Sequence, residues 1–353
     1  MPLTPQEIDK IGKTTIDWYR KNKPKDQINV ERPLLDVLLP RAKPIVGGKE
    51  FISENIFVAN GANGQYWAGN SRVTYNTRNP NEQAKYSWAN FHDGFTINED
   101  ELTRNGIKVI DDKGKSTATR GEVVQLTNML ESHFRALDEG AKDFIHASLW
   151  LDGTQATDAR PGIDALVSTT PAVGTVGGIN AATATYWRNY VQTGITGADA
   201  GARLAAALDA MEKAKRAIMR TKGRVTHIFV GGDFLDFVRN AVIASNTTQF
   251  TYAGGSTISI DMATSSLKFD GIPLTWVPDF DTNFGLAAPT IPWSKRCYML
   301  DLRSLWLNRD EDDWMRIRYP GRPIDQYVYY FAETAKYGLS TDKRNSHAVL
   351  SIA

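Results

Sequence analysis

The side chains able to bind metals or attack substrates are few in this chain. There are five histidines, His92, His133, His146, His227 and His347, and one cysteine, Cys297. A metal site needs such groups, or carboxylates, gathered together. These are scattered, and His133 and His146 do not share one stripe of a helix. The run Asp310-Glu311-Asp312-Asp313 could hold a divalent cation, but it lacks the turn glycine and alternating spacing of a calcium loop. It reads as a solvated turn or a salt bridge between subunits. Val230-Gly231-Gly232-Asp233 joins a strand to a helix start, where a phosphate could sit. No G-x-G-x-x-G or Walker lysine accompanies it, and Asp233 would repel an anion, so Asp233 reads as a helix N-cap. No G-x-S-x-G or H-E-x-x-H is present. The expectation is a protein that is not an enzyme and takes no cofactor or metal.

The elements that carry these residues belong to a chain of 353 residues, long enough for two domains or one large irregular one. Its 23% charged and 42% hydrophobic composition excludes global disorder. A net charge of +1 argues against a protein that neutralises nucleic acid with charged tails. No apolar run is long enough for a membrane span or a signal peptide. A single cysteine forbids an intrachain disulfide. Nine tryptophans in a 10% aromatic chain point to large packed interfaces.

Residues 1–50 read as an arm: Pro2, Pro5, Pro24, Pro33, Pro40 and Pro44 break it, with one short helix possible around Ile8, Ile11 and Ile16–Trp18. In residues 51–112, Gln65–Tyr75 and Ala84–Phe91 flank a polar tip, Asn76–Gln83. Trp67, Val73 and Tyr75 share one parity, as do Ala84, Tyr86 and Trp88, which predicts a long hairpin with an aromatic face. Residues 120–151 give the clearest helix. Thr119 and Glu122 form a capping box. Val123, Leu126, Leu130, Phe134, Leu137, Ala141, Phe144 and Ser148 make one apolar stripe, and Asp152-Gly153 ends it. Gly140 inside it marks a bend or a close packing point. A Gly/Thr-rich stretch (160–195) leads to helix 200–222, strand 225–230, helix 233–244 and short strands at 267–269 and 274–277 about the turn Asp270-Gly271, an α/β module. Strands return at 296–307, 314–318, 324–337 and 347–352.

At Gly177-Gly-Ile-Asn-Ala-Ala-Thr-Ala-Thr-Tyr-Trp-Arg-Asn189, preceded by Gly162-Ile-Asp-Ala-Leu-Val-Ser168, the chain resembles the signature block of tailed-phage major capsid proteins of the Hong Kong 97 fold. The order of elements is similar to that family over nearly the whole length. The resemblance implies an α+β fold with an N-terminal arm (1–50), an E-loop region (51–112), a peripheral domain with a spine helix at 120–151 (113–194), an axial domain (195–295) and C-terminal peripheral strands (296–353). About fifty residues precede the E-loop, without a long coiled-coil pattern, which implies a separate scaffold protein or none. Lys85 is the only lysine between Gln65 and Phe91 and lies away from the tip, so an isopeptide cross-link is not expected.

The function that the resemblance implies is a shell subunit, self-assembling into hexamers and pentamers of an icosahedral virion capsid. Such a shell encloses double-stranded DNA without sequence-specific binding and is assembled in the host cytoplasm. Portal, scaffold and decoration proteins are the implied partners, with no membrane. Trp67, Val73, Tyr75, Tyr86, Trp88 and Arg188 are candidate inter-subunit contacts, and Phe134 and Trp187 candidate core residues. Trp187 is expected to bury its indole with the N–H on an acceptor. Arg188 is expected to hold a carboxylate in a bidentate bond, with Asp310–Asp313 one candidate partner. An encapsulin-like cellular compartment is a second reading on the same fold, and an α/β enzyme centred on 195–290 a third of another class.

Overall fold

The computed structural model describes residues 31–47, 50–104, 120–244, 249–251, 257–261, 266–321 and 326–353. The expected short helix at 8–18 and the Thr119–Glu122 cap lie outside the described side chains.

Two sheets organise the chain. The larger has eight strands in the order Tyr190–Ile195, Ala348–Ile352, Arg296–Leu300, His227–Val230, Ile272–Trp276, Ser266–Phe269, Thr257–Asp261 and Gln249–Thr251. Helices Ala200–Arg220 and Gly232–Ala244 pack on it through Leu204, Leu208, Met211, Ile218, Phe234 and Val238, all fully buried. In the smaller sheet the long strand Val328–Thr341 is central. Ala89–Asn98 pairs along one edge over ten residues, and Leu305–Asp310 and Arg316–Gly321 share the other. Lys43–Ile45 extends that sheet in parallel with Leu305–Asp310.

The segment 296–353, expected to return as a block to the peripheral domain, divides between the two sheets. Cys297, Tyr298, Met299 and Leu300 are fully buried, so this strand needs cover on both faces. In the sheet it lies between His227–Val230 and Ala348–Ile352, and the cover comes from the two cores on either side: Cys297 and Met299 pack with the two helices, Tyr298 and Leu300 with the second half of the spine helix.

The spine helix runs Arg120–Trp150, 31 residues, and so is about 46 Å long. Its buried positions among the described side chains are Leu126, Leu130, Phe134, Leu137, Ala141, Ile145, His146, Leu149 and Trp150. The expected stripe therefore holds from Leu126 to Ala141, its first member Val123 lying outside the described side chains, and departs after Ala141: Phe144 is 57% exposed, Ile145 takes the inward place and Ser148 is half-buried. The helix changes partners at that point. Its first half packs with Ile97, Leu102, Tyr329 and Phe331. Its second half enters the core formed with Leu166, Phe280, Trp293 and Tyr298. Successive four-residue steps let the buried face turn toward that second core. At Gly140 an added Cβ would meet only Asp93 Oδ2, at 3.6 Å, so the glycine is not a packing requirement. The helix stops where Gly153 takes φ +90°, and a Cβ there would lie 2.8 Å from the Arg160 and Pro161 backbone.

Of the segment expected to be an arm, residues 33–38 form a helix, Pro33–Leu38, whose Leu34, Leu35 and Leu38 enter the main core. Arg32, just before it, binds the spine helix through Glu139 (2.8 Å) and Asp143 (2.5 Å).

Candidate assembly surface

The E-loop region is a ribbon with a paired root and an open tip. Its root pairs Phe51–Phe57 with Asn81–Ser87, in the register Ile52 to Tyr86 and Glu54 to Ala84. The sequence reading placed the returning strand but paired it with Gln65–Tyr75, and that pairing is corrected. The chain reverses inside Gln65–Tyr75, where Gly69 takes φ +53° and Ser71 N–H donates to the Ala68 carbonyl. Beyond the root, amide side chains hold the two arms together. Asn63 and Gln65 each donate to the Thr74 carbonyl at 2.7 Å, and Asn76 donates to that of Gly61 at 2.8 Å.

This geometry splits the expected aromatic face in two. At the tip, Tyr66, Trp67, Val73 and Tyr75 are exposed, with Tyr66 at 107% and Tyr75 at 93%. At the root, Tyr86 and Trp88 are buried in the subunit's own core, so both leave the set of inter-subunit candidates. Their parity faces the body. The Tyr86 hydroxyl donates to the Thr341 carbonyl at 2.8 Å, and burial pushes its pKa well up. The Trp88 carbonyl accepts from Arg160 Nε, and Lys336 Nζ lies 5.3 Å from the centre of its ring.

The glycine-rich block forms the socket for that root. The short hairpin Thr175–Val176/Ile179–Asn180 turns at Gly177 and Gly178. Gly177 takes φ +61°, and a Cβ there would stand 3.0 Å from Ala84 and 3.2 Å from Tyr86. Its carbonyl accepts from the Lys85 N–H at 2.9 Å. Only glycine gives that turn and that approach together.

Trp187 is 1% exposed and its indole N–H donates to the Val176 carbonyl at 3.0 Å. Arg188 makes its hydrogen bonds within its own loop, through Nε to the Ala181 carbonyl (2.7 Å) and Nη2 to that of Ala182 (2.8 Å). The expected carboxylate partner is corrected: a forked donor next to two successive carbonyls satisfies backbone groups that no ladder reaches. Asn189 donates to Ser168 O. Arg344, which the sequence reading passed over, is fully buried and donates to Leu166 O and Trp187 O. Burial lowers its pKa to about 10. Its signal was too weak to find, because an arginine beside a turn reads as a surface charge.

Several of the groups weighed for chemistry have partners within the fold. The N–H of Gly232, at the start of the helix after Val230, donates to Asp281 Oδ1 at 2.7 Å, and Asp233 accepts from the Ser294 hydroxyl. The capping carboxylate is thus Asp281, not Asp233. Asp313 accepts from Arg318, and Lys336 lies 3.6 Å from Asp310, so two carboxylates of the acidic run have partners within the chain. His146 and His347 are buried, which lowers each pKa to about 4. Cys297 is buried and its pKa is pushed well up. No group of three or more His, Cys, Asp or Glu that could hold a metal occurs among the described residues. No helix among them is long and apolar enough to cross a membrane.

No family model and no curated protein matches the chain. Solved structures do. The cyanophage A-1(L) capsid asymmetric unit matches with a TM-score of 0.61 at 18% identity, over 94% of this chain and 96% of that one. The mature capsid of bacteriophage PhiM1 matches at 0.54 and 9% identity, over 94% and 90%. The capsid of Myoviridae phage XM1 matches at 0.54 and 9%, over 95% and 97%. An α+β chain matched nearly end to end in this way has the Hong Kong 97-type fold of tailed-phage capsid subunits.

Proposed function

We propose that this chain is the major capsid protein of a tailed double-stranded DNA bacteriophage, assembling into the hexamers and pentamers of an icosahedral shell that encloses the genome. One observation carries the reading beyond the fold. Tyr66, Trp67 and Tyr75 stand in solvent on a ribbon whose arms are tied only to each other at the tip, while its root is locked to the body. Exposed aromatics on a positioned projection are made for a second surface. In a shell that surface is another copy, and obligate contacts of this kind bury more than about 2,000 Å².

The mechanism is mechanical. The socket at Gly177 and the Tyr86–Thr341 bond set the angle at which the ribbon leaves the body. Trp67, Val73 and Tyr75 supply the apolar contact, and the two sheets and spine helix form the wall. No bond is made or broken. Portal, scaffold and decoration proteins are the further partners of such a subunit, and the virion is its place after assembly in the host cytoplasm. Electron microscopy and size-exclusion chromatography of the purified chain test the reading. Shells or capsomers are expected; a monomer or dimer that never forms capsomers under any assembly condition sinks it.

A further inference from the structure

We propose that the end of the helix Ala200–Arg220 and the turn after it form a docking surface for the phosphate backbone of double-stranded nucleic acid. Residues 213–224 read Lys-Ala-Lys-Arg-Ala-Ile-Met-Arg-Thr-Lys-Gly-Arg, six basic residues and no acidic one, in a chain whose net charge is +1. The first three have partners: Lys213 with Asp209, Lys215 with Asp270 and Glu212, and Arg216 with Glu212. Arg220, Lys222 and Arg224 are exposed, and their side chains form no ion pair with a described carboxylate, although the Arg224 N–H donates to Asp301 Oδ2 at 2.9 Å. Arg303, itself paired with Asp301 at 2.9 Å, faces the same cavity as Arg224, of about 580 Å³, whose wall also holds Phe269, Ile272 and the Lys215–Asp270 pair.

A helix C-terminus attracts a cation, and Arg220 is enough to complement it. That does not explain Lys222. The helix ends with the Lys222 N–H on Met219 O and the Gly223 N–H on Ile218 O, a motif whose left-handed position glycine normally fills. Here Lys222 takes φ +61°. A charged side chain is kept where glycine would be more stable, between two further unpaired cations. Like charges that share a surface and have no ion-pair partner among the described residues favour an anionic partner. Spaced point charges at one helix end suit a run of phosphates, which attracts cations without fixed geometry.

The test is binding of the whole protein to a fluorescein-labelled DNA duplex of arbitrary sequence, followed by anisotropy across a salt series. The triple variant Arg220→Gln, Lys222→Gly, Arg224→Gln is expected to lower the slope of log affinity against log salt by about 2.7, at about 0.9 per lost phosphate contact. That corresponds to about a 40-fold smaller loss of affinity between about 50 and 200 mM salt. Lys222→Gly alone should bind more weakly yet melt at or above the parent temperature, which separates binding from folding. Arg220→Lys with Arg224→Lys should bind as the parent does. An unchanged slope in the triple variant overturns the proposal. So does a triple variant that keeps its duplex affinity but no longer associates with other copies, since the patch is then a subunit contact. Shell formation is scored separately: duplex binding through these residues by a chain that builds no shell leaves this inference standing and removes the proposed function.

Discussion

The Tyr186 hydroxyl donates to Oε2 of Glu82, across 104 residues of sequence. This bond ties the loop that carries Trp187-Arg188-Asn189 to the returning strand of the ribbon. The Lys85–Gly177 backbone bond, at 2.9 Å, lies beside it. The block that makes the sequence recognisable is therefore the seat of the projection.

Gly177→Ala should loosen that seat. The substitution forces a Cβ to 3.0 Å from Ala84 at a left-handed φ, for a loss of about 1–3 kcal/mol in chemical denaturation. Tyr186→Phe should cost about 1 kcal/mol or less, because the bond is exposed to solvent. Burial first, and then Glu82, raises the Tyr186 pKa to about 12 from its ordinary 10.0. A raised folded value means that the contribution is complete below pH 10 and disappears as pH climbs through 12. Amide exchange of Lys85 reads both effects. Unaltered protection in Gly177→Ala would show that the seat is elsewhere.

The phase of the spine helix is tested by two phenylalanines. Phe134 is 1% exposed and meets Phe331 edge-on, with centroids 5.5 Å apart, so Phe134→Ala should cost about 3–5 kcal/mol through the cavity it leaves. Phe144, at 57% exposed, meets Phe91 with ring centroids 5.1 Å apart, so Phe144→Ala should cost less than about 1 kcal/mol. Equal losses at the two positions would mean that the buried face does not turn after Ala141.

This pair also shows what the sequence could reveal. Periodicity found the helix within one residue of its end, because a long stripe averages over local exceptions. It could not see the helix pass from one core to another, since partners distant in sequence decide which of Phe144 and Ile145 turns inward. The ribbon failed for a related reason. Parity identified a strand at Ala84–Phe91, of which Ala84–Ser87 lies in the root, but the choice between Phe51–Phe57 and Gln65–Tyr75 as its partner rests on where the chain reverses. Gly69-Asn70 was a weaker turn signal than the Pro80-containing stretch. Trp187 was legible because a large amphipathic side chain has few good places. Arg188 was misread because backbone carbonyls, which leave no trace in composition, accept its hydrogen bonds.

Acid should destabilise the subunit through its buried histidines. His347 is fully buried, with Nδ1 accepting from the Asp301 N–H. His146 is 1% exposed, and Trp150 donates to its Nε2. Desolvation lowers each to about 4 from the ordinary 6.5. A depressed folded value means that the stability is complete above pH 6.5 and is lost as pH falls toward 4, on the order of 3 kcal/mol per histidine. Denaturation midpoints between pH 7 and pH 4 should fall accordingly, and His146→Gln should flatten part of the slope. A flat profile in the parent protein would show that neither ring stays neutral and buried.

Removing the tip should separate folding from association. The exposed residues Tyr66, Trp67, Val73 and Tyr75 lie between Gly61 and Asn76, whose side-chain amide closes the tip on the Gly61 carbonyl. Replacing residues 62–75 with a short glycine-containing turn keeps the paired root, the Tyr86–Thr341 bond and the socket at Gly177. Nothing buried is lost, so helicity and the denaturation midpoint should stay close to those of the parent. What disappears is the apolar surface proposed to bind the next copy. The shortened chain should elute as monomers or capsomers where the parent forms shells. Point variants refine the result: Trp67→Ala, which removes the largest exposed side chain of the tip, should weaken assembly more than Val73→Ala, because large aromatic anchors dominate interface energy. Intact shells from the shortened chain, seen by electron microscopy, would mean that the ribbon's tip is dispensable and that the copies are held together by the body alone.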